Sequence, residues 1–327
     1  MGQSRLDPGE VRFFSGSSNR PLAAAIADHL GVTLDATVID RFSNDNLLIQ
    51  LGASVRSRDV YLIQSLTPPV SEHLMELLMM LDIARGAAAR AIHAIIPYFS
   101  YARSDKKDAP RISITARLVA DLLQTAGATH VMTMMLHSPQ VHGFFGVPID
   151  PLSSRPVLKR HFAGRDLSET VVVAPDMGSA KSAARFARDL DRPVAAGNKE
   201  RLSDTEVRIR GIVGGHLHGC RRALVFDDEI ATGGSVVELT HVLLDAGIEE
   251  IWVACTHGVF VRGALERLAA IPQITEIVAS DTVHIPAEKR HAKLQILSVA
   301  PVIGDAIARN AARESLEDLF VYGSDRG

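Results

Sequence analysis

Cysteine is nearly absent from this 327-residue chain: Cys220 and Cys255 are the only two. Two thiols in separate apolar runs supply neither a disulfide framework nor the paired spacing of a zinc knuckle. They read as buried thiols in a reduced compartment. Long apolar runs are missing as well. No stretch approaches the roughly 18 residues that span a bilayer, and the opening MGQSRLDPGEVRFF has no apolar core for a secretory signal. MGQSRL begins like a myristoylation signal, but Leu6 stands where Ser or Thr is required. An excess of positive charge is lacking too. With 35 Lys and Arg against 38 Asp and Glu, the net charge of -3 argues against nucleic-acid binding driven by bulk charge. The expectation is a cytoplasmic protein that takes no nucleic acid and enters no membrane.

What is present is an ordinary globular balance, 46% hydrophobic and 22% charged, over a length that suggests two domains. Short apolar runs alternate with helical periods. Runs at 11–16, 36–42, 46–52, 59–65, 91–97 and 130–136 read as strands. PLAAAIADHL, SEHLMELLMMLDIARGA and ITARLVADLLQTAG read as helices between them. Residues 137–160, rich in Pro, Gly and Ser, read as a boundary. The rhythm then repeats, with strands at 170–176, PVAAG, 223–229 and 250–258, and in EIVASDT and LQILSV. Continuous apolar strands alternating with helices mean a parallel sheet covered on both faces. The expected fold is α/β: two tandem domains at 1–150 and 151–304, each a mainly parallel sheet flanked by helices, with a C-terminal helix in 305–327 packing back on the first.

FDDEIATGGS, residues 226–235, joins an apolar strand to a helical period. Adjacent carboxylates repel each other, so Asp227 and Asp228 need a cation or hydroxyls between them, or water around both. At the carboxyl end of a central strand they stand where open α/β sheets bind ligands. Thr232, Gly233, Gly234 and Ser235 then offer hydroxyls and unobstructed amides at a helix start, an anion site by dipole and donor geometry. Carboxylates beside it suit vicinal sugar hydroxyls. Together they describe a ribose 5-phosphate group. The plain alternative is a strand followed by a capped helix with a solvated acidic pair.

This stretch resembles the phosphoribosyl-diphosphate motif shared by type I phosphoribosyltransferases and ribose-phosphate pyrophosphokinases. The segments FSNDN (42–46), SVRSRD (54–59), IIPYFSYARSDKKD (95–108), MLHSPQVHGFFGVPID (135–150), VVVAPDMGSAKSAARFA (171–187), NKER (198–201) and CTHGVF (255–260) resemble the pyrophosphokinase family in order. The resemblance implies two phosphoribosyltransferase-like domains. It implies transfer of the β,γ-diphosphoryl group of MgATP to the 1-hydroxyl of ribose 5-phosphate, with Mg2+ as cofactor. It also implies self-association, commonly a hexamer built from dimers.

Roles follow from the same resemblance. Lys199 and Arg201 match cations on a loop that closes over the transition state. Phe42, Asn44 and Asn46 match the adenine loop, which in the family reaches a neighbouring subunit's site. Arg103, Ser104, Asp105 and Lys106 match positions at the nucleotide phosphates, with Asp105 bracing the basic pair. Asp227, Asp228, Ala231, Thr232, Gly233, Gly234 and Ser235 match the ribose 5-phosphate loop, and His137 and Asp176 the metal-associated residues. Ser54, Arg56, Arg111 and Ser315 match an interface anion site through which many members respond to phosphate and ADP. Taken alone, NKER and FSND are charged or polar turns, YARSDKK is a surface charge cluster, and His137 is a structural histidine.

The chain also departs from the family pattern. Asn46 replaces the Glu that usually ends the adenine loop, Met135 an Asp two residues before His137, and Ser104 a Gln whose loss leaves room for water. Glu317 falls where a second Ser is common. Weaker use of Mg2+ and weaker phosphate activation are the expectations. These departures keep a regulatory paralogue in view, and the shared loop keeps a phosphoribosyltransferase in view. Asn can donate as well as accept at a base edge. Relaxed donor choice is therefore predicted, with nucleoside monophosphate release from GTP approaching that from ATP. A strong preference for ATP would refute it.

Overall fold

The computed structural model describes residues 6–201, 207–215, 217 and 219–321. The chain divides into two units. Unit one takes residues up to Ser154, Thr282–His284 and the chain from Ser298 onward; unit two takes Arg155–Asp281 and Ile285–Leu297. The break thus falls after Ser154 rather than at 150, and the chain rejoins unit one at Ser298, ahead of 304. The break lies inside the stretch 137–160 rich in Pro, Gly and Ser, whose first part belongs to unit one. That part forms a 3-10 turn, Pro139–Phe144, and then an edge strand of unit one.

Unit one contains β1 (Val11–Ser15), α1 (Arg20–Leu30), β2 (Leu34–Asp35), β3 (Thr37–Arg41), β4 (Leu47–Leu51), β5 (Asp59–Ile63), α2 (Val70–Gly86), β6 (Ala91–Ile96), α3 (Thr115–Ala126), β7 (His130–Met134) and β8 (Ile149–Leu152). Six strands form a parallel sheet in the order β2-β1-β5-β6-β7-β8. The step from β1 to β2 runs one way, and the steps from β5 to β6 to β7 run the other. Right-handed crossovers therefore place α1 on one face and α2 and α3 on the opposite one. Leu77, Met80 and Leu81 of α2 and Val119 and Leu123 of α3 pack with Phe14, Leu62, Ala94 and Val131 from the strands. Asn19 starts α1 by accepting from the Leu22 amide, and Gly31 at φ 66° ends it.

The runs at 36–42 and 46–52 do not join this sheet. β3 and β4 form their own antiparallel pair, because so short a connection cannot join parallel neighbours. Ile39, Ile49 and Leu51 turn inward onto the core, while Val38 and Leu48 stay exposed.

Unit two contains α4 (Arg155–Phe162), β9 (Thr170–Ala174), α5 (Ala180–Asp189), β10 (Val194–Arg201), β11 (Val207–Val213), β12 (Arg222–Ile230), α6 (Gly234–Asp245), β13 (Glu250–Gly258), α7 (Ala264–Ala269), β14 (Ile274–Ser280) and β15 (Leu294–Leu297). Its seven strands run β11-β10-β9-β12-β13-β14-β15. All adjacent pairs are parallel except β10 and β11. Alternation along the strands builds two cores. Leu224 and Phe226 meet Phe162 of α4 and Phe186 of α5; Ala223 and Val225 meet Leu239 of α6 and Leu268 of α7. After unit two, α8 (Ala300–Ala312) packs against α1 of unit one. No described helix is long and apolar enough to cross a membrane.

Rings cross four neighbouring strands of unit one in register: Phe13, Tyr61, His93 and His130. Phe13 stacks on Tyr61 at 4.6 Å, and Tyr61 on His93 at 4.4 Å. His130 Nε2 lies 2.8 Å from Asp150, and the two Nδ1 atoms of His93 and His130 lie 3.0 Å apart. One proton lies between the two Nδ1 atoms, so one ring donates and the other accepts. Burial, reinforced by His130, pushes the His93 pKa from 6.5 down to about 4. The unfolded chain therefore binds the extra proton between those values, and stability falls as pH drops from 6.5 toward about 4. By linkage the loss across that window is about 3 kcal/mol. Urea midpoints followed by circular dichroism should show it in the wild type. His93→Phe, which keeps the stack and removes the titrating ring, should flatten it.

Candidate active site

In unit two the chain steps from β9 to β10 in one direction and from β12 to β13 in the other. The sheet therefore has its topological switch between β9 and β12, where helices leave opposite faces and a crevice opens beyond the carboxyl ends. Asp176 follows β9, and Asp227 and Asp228 lie near the end of β12. Asp176 Oδ1 accepts from the amides of Gly178 at 2.9 Å and Ser179 at 3.2 Å, which shapes the turn into α5. Asp227 Oδ1 accepts from the Asp228 amide at 3.0 Å. Asp227 keeps some residue exposure, but burial of its carboxyl raises its pKa well above the usual range. The charges of Asp228 and Asp176 push it the same way.

Beyond β12 the chain turns through Ala231, Thr232 and Gly233 into α6. Gly233 sits at φ 74°, a left-handed conformation that a side chain would strain. No side chain caps α6, and its first turn holds no acidic residue. The first amides of a helix lack intrahelical acceptors and carry its positive end. Thr232 and Gly234 are exposed there, and Ser235 is half-buried. The arrangement pairs an anion cradle with an acidic edge.

Unit one has the same switch, between β1 and β5, but it is plugged. A Cβ on Gly16 would meet Gln64 at 2.4 Å. Ser18 donates to Gln64 Oε1 from its amide at 3.1 Å and its hydroxyl at 2.6 Å. Gln64 Nε2 in turn donates to Glu76 at 2.6 Å, and Ser17 donates to Glu76 from both amide and hydroxyl. Gln64 and Glu76 are both buried. Sequence reading singled out neither, because their partners lie far along the chain.

A profile of the N-terminal domain of ribose phosphate pyrophosphokinase matches residues 11–127, and one of a phosphoribosyl synthetase-associated domain matches 206–321. The ribose-phosphate pyrophosphokinase of Deinococcus radiodurans is 49% identical over 322 residues, 97% of this chain and 99% of its own. The chain belongs to the ribose-phosphate pyrophosphokinase family. The pyrophosphokinase of Caldanaerobacter subterraneus is 42% identical over 311 residues, covering 95% of this chain and 98% of its own. The crystal structure of phosphoribosylpyrophosphate synthetase from Mycobacterium smegmatis matches at 32% identity with a TM-score of 0.85, over 93% of this chain and 99% of that one.

Within a pyrophosphokinase fold, the remaining singled-out residues fall as follows. Phe42 is 55% exposed on the β3–β4 turn, whose backbone closes by Phe42 N donating to Asn46 O at 2.9 Å. The Asn44 side chain helps to shape that turn, accepting from the Asn46 amide at 3.3 Å. Arg103 and Lys106 are exposed, and buried Asp105 accepts from Gln140 Nε2 at 2.7 Å, a partner absent from the sequence reading. The Ser104 hydroxyl is engaged at the start of α3, accepting from Thr115 N and donating to Ser113 O, both at 3.3 Å. His137 is exposed just past β7 in unit one, and Met135 is buried at φ 38°. Among the described residues no three His, Cys, Asp or Glu side chains form a metal-ligating cluster.

NKER is not the turn that its charge suggests. β10 runs on through it, with Lys199 opposite Ile209 and Arg201 opposite Val207 on β11. The strand persists because VRIRGIV supplies a ladder partner that sequence reading did not pick out. The side chains of Lys199 and Arg201 lie outside the described residues. Of the anion-site residues, Ser54 O accepts from Arg58 and the Ser315 hydroxyl accepts from the Glu317 amide. None of Ser54, Arg56, Arg111 and Ser315 bonds another of the four within the described residues.

A carboxyl whose pKa is raised by its surroundings contributes stability at low pH that is lost as pH rises through the raised pKa. Asp227→Asn removes that loss and keeps an oxygen for the Asp228 amide. The ligand-free variant should therefore melt above the wild type by a margin that widens as pH rises above the ordinary carboxylate range. A constant or reversed margin would contradict the crowding of Asp227.

Proposed function

We propose that this chain is a ribose-phosphate diphosphokinase. It moves the β,γ-diphosphoryl group of MgATP onto the 1-hydroxyl of ribose 5-phosphate and releases AMP and 5-phosphoribosyl 1-diphosphate. The observation that carries the reading is the acidic pair beside the uncapped start of α6 at the switch point of unit two. The amides of Thr232 to Ser235 and their hydroxyls take the 5-phosphate, and Ala231 supplies backbone to the same turn. Asp227 and Asp228 accept from the ribose hydroxyls, which gives their crowded oxygens donors and orients the sugar.

The donor set suits Mg2+, which takes one or two carboxylates and fills its octahedron with phosphate oxygens and water rather than a protein cage. His137 and Asp176 are the residues that the family resemblance assigns to it. When bound, Mg2+ offsets the negative charge of the phosphate chain and of the carboxylates beside it. Lys199 and Arg201 supply positive charge as the diphosphoryl group transfers, the main task of a protein in such a reaction. Arg103 and Lys106 bind nucleotide phosphates, on a segment held by Asp105 and Ser104. Phe42 offers a ring face to the base, and Asn44 and Asn46 offer polar groups to its edge.

Self-association into a hexamer built from dimers is part of the same reading, and exposed Val38 and Leu48 beside Phe42 offer apolar surface for a contact between copies. The anion set Ser54, Arg56, Arg111 and Ser315 is assigned to contacts between copies.

The test is AMP release from purified protein with ATP and Mg2+, with and without ribose 5-phosphate. AMP formed only when the sugar phosphate is present is the expected result. A phosphoribosyltransferase would form none under these conditions. Folded protein that stays silent with every nucleoside triphosphate would replace the enzyme with a regulatory paralogue.

A further inference from the structure

The loop after β13 is strained in the left-handed region at two residues that carry side chains, Phe260 at φ 43° and Arg262 at φ 56°, before Gly263 at φ 71°. This conformation lays the loop along the turn that follows β12. Val259 N and Phe260 N both donate to Ile230 O, at 3.0 and 3.1 Å, and Val261 N donates to Ala231 O at 2.9 Å. The next carbonyl, Thr232 O, is taken by a side chain: Arg267 Nη2 of α7 donates to it at 2.6 Å. The other terminal nitrogen of Arg267 donates to Arg262 O, so one guanidinium ties the two loops together.

Three successive carbonyls are thus held from one side. In a planar trans peptide the N–H points opposite to the C=O. The amides of Ala231, Thr232 and Gly233 therefore all face away from the 259–267 segment. They extend the row of donors that begins α6, and consecutive amides facing one way form an anion-binding nest. The weak point is the Thr232–Gly233 peptide. Gly233 has no Cβ to resist a flip, and a flip would turn a carbonyl toward the anion instead of an amide.

We propose that Arg267 is a positioning residue for the sugar-phosphate site: it locks the Thr232–Gly233 peptide so that the Gly233 amide faces the 5-phosphate. The inference rests on the ribose 5-phosphate reading of this loop. Arg267 is itself exposed, so its removal should leave the fold intact.

The experiment compares Arg267→Met, Arg267→Gln and Arg267→Lys with the wild type in steady-state AMP release, alongside calorimetric binding of ribose 5-phosphate. Arg267→Met should raise KM for ribose 5-phosphate about tenfold and leave KM for ATP, and kcat, within about twofold. Melting temperature should not move. Arg267→Gln, which keeps one donor without charge, should recover part of the affinity. Equal KM values for ribose 5-phosphate in the wild type and Arg267→Met would overturn the proposal and leave the site reading standing. Full recovery in Arg267→Lys with none in Arg267→Gln would also overturn it, in favour of a direct charge contact. Wild-type protein that neither binds nor consumes ribose 5-phosphate would overturn the site reading and this inference with it.

Discussion

Unit two carries a crowding of carboxylates at its switch point that the packing around them has to support. The Asp227 carboxyl is withdrawn from water, and the charges of Asp228 and Asp176 push its pKa up as that burial does. Such a cluster persists only because the sheet beneath it is stable for other reasons. Phe162, Phe186, Phe226 and Trp252 fill one face, and Leu239, Leu243 and Leu268 fill the other. The strain at the end of the strands is thus carried by apolar packing within them.

The two switch points show how little the fold itself decides about function. Both sheets reverse direction beside a strand that ends in a small-residue turn. In unit one, Gln64 and Glu76 fill the space, and serine donors from the turn satisfy them. In unit two, the same place is left to an acidic pair and to the open start of α6. Side chains of a few residues separate a filled crevice from an acidic one, as expected where sites are grafted onto a shared scaffold.

Rigidity of the turn that leads into α6 comes from outside that turn. Its glycines give the backbone freedom to form a nest, and the same freedom would let the nest invert. The strained loop after β13 and the guanidinium of Arg267 remove that freedom by holding the carbonyls. Strain at Phe260 and Arg262 is therefore linked to order at Thr232 and Gly233. The β3–β4 pair is built on a contrasting plan, with one face on the core and Phe42 presented to solvent at its tip.

What the sequence determined by itself is local. The stretch 226–235 holds strand end, carboxylates, glycine turn and helix start within ten residues, so its chemistry can be read without knowing any distant contact. The alternation of apolar strands and amphipathic helices likewise announces doubly wound sheets, because burial on both faces dictates it. The tertiary structure decided whatever depends on a partner far along the chain. NKER became a strand only because β11 pairs with it, and 36–52 left the parallel sheet because its two strands pair with each other. Gln64 closes one crevice through Glu76, and Arg267 reaches Thr232 from another helix. Periodicity records which face of an element is buried; it does not record which residue waits on the other side.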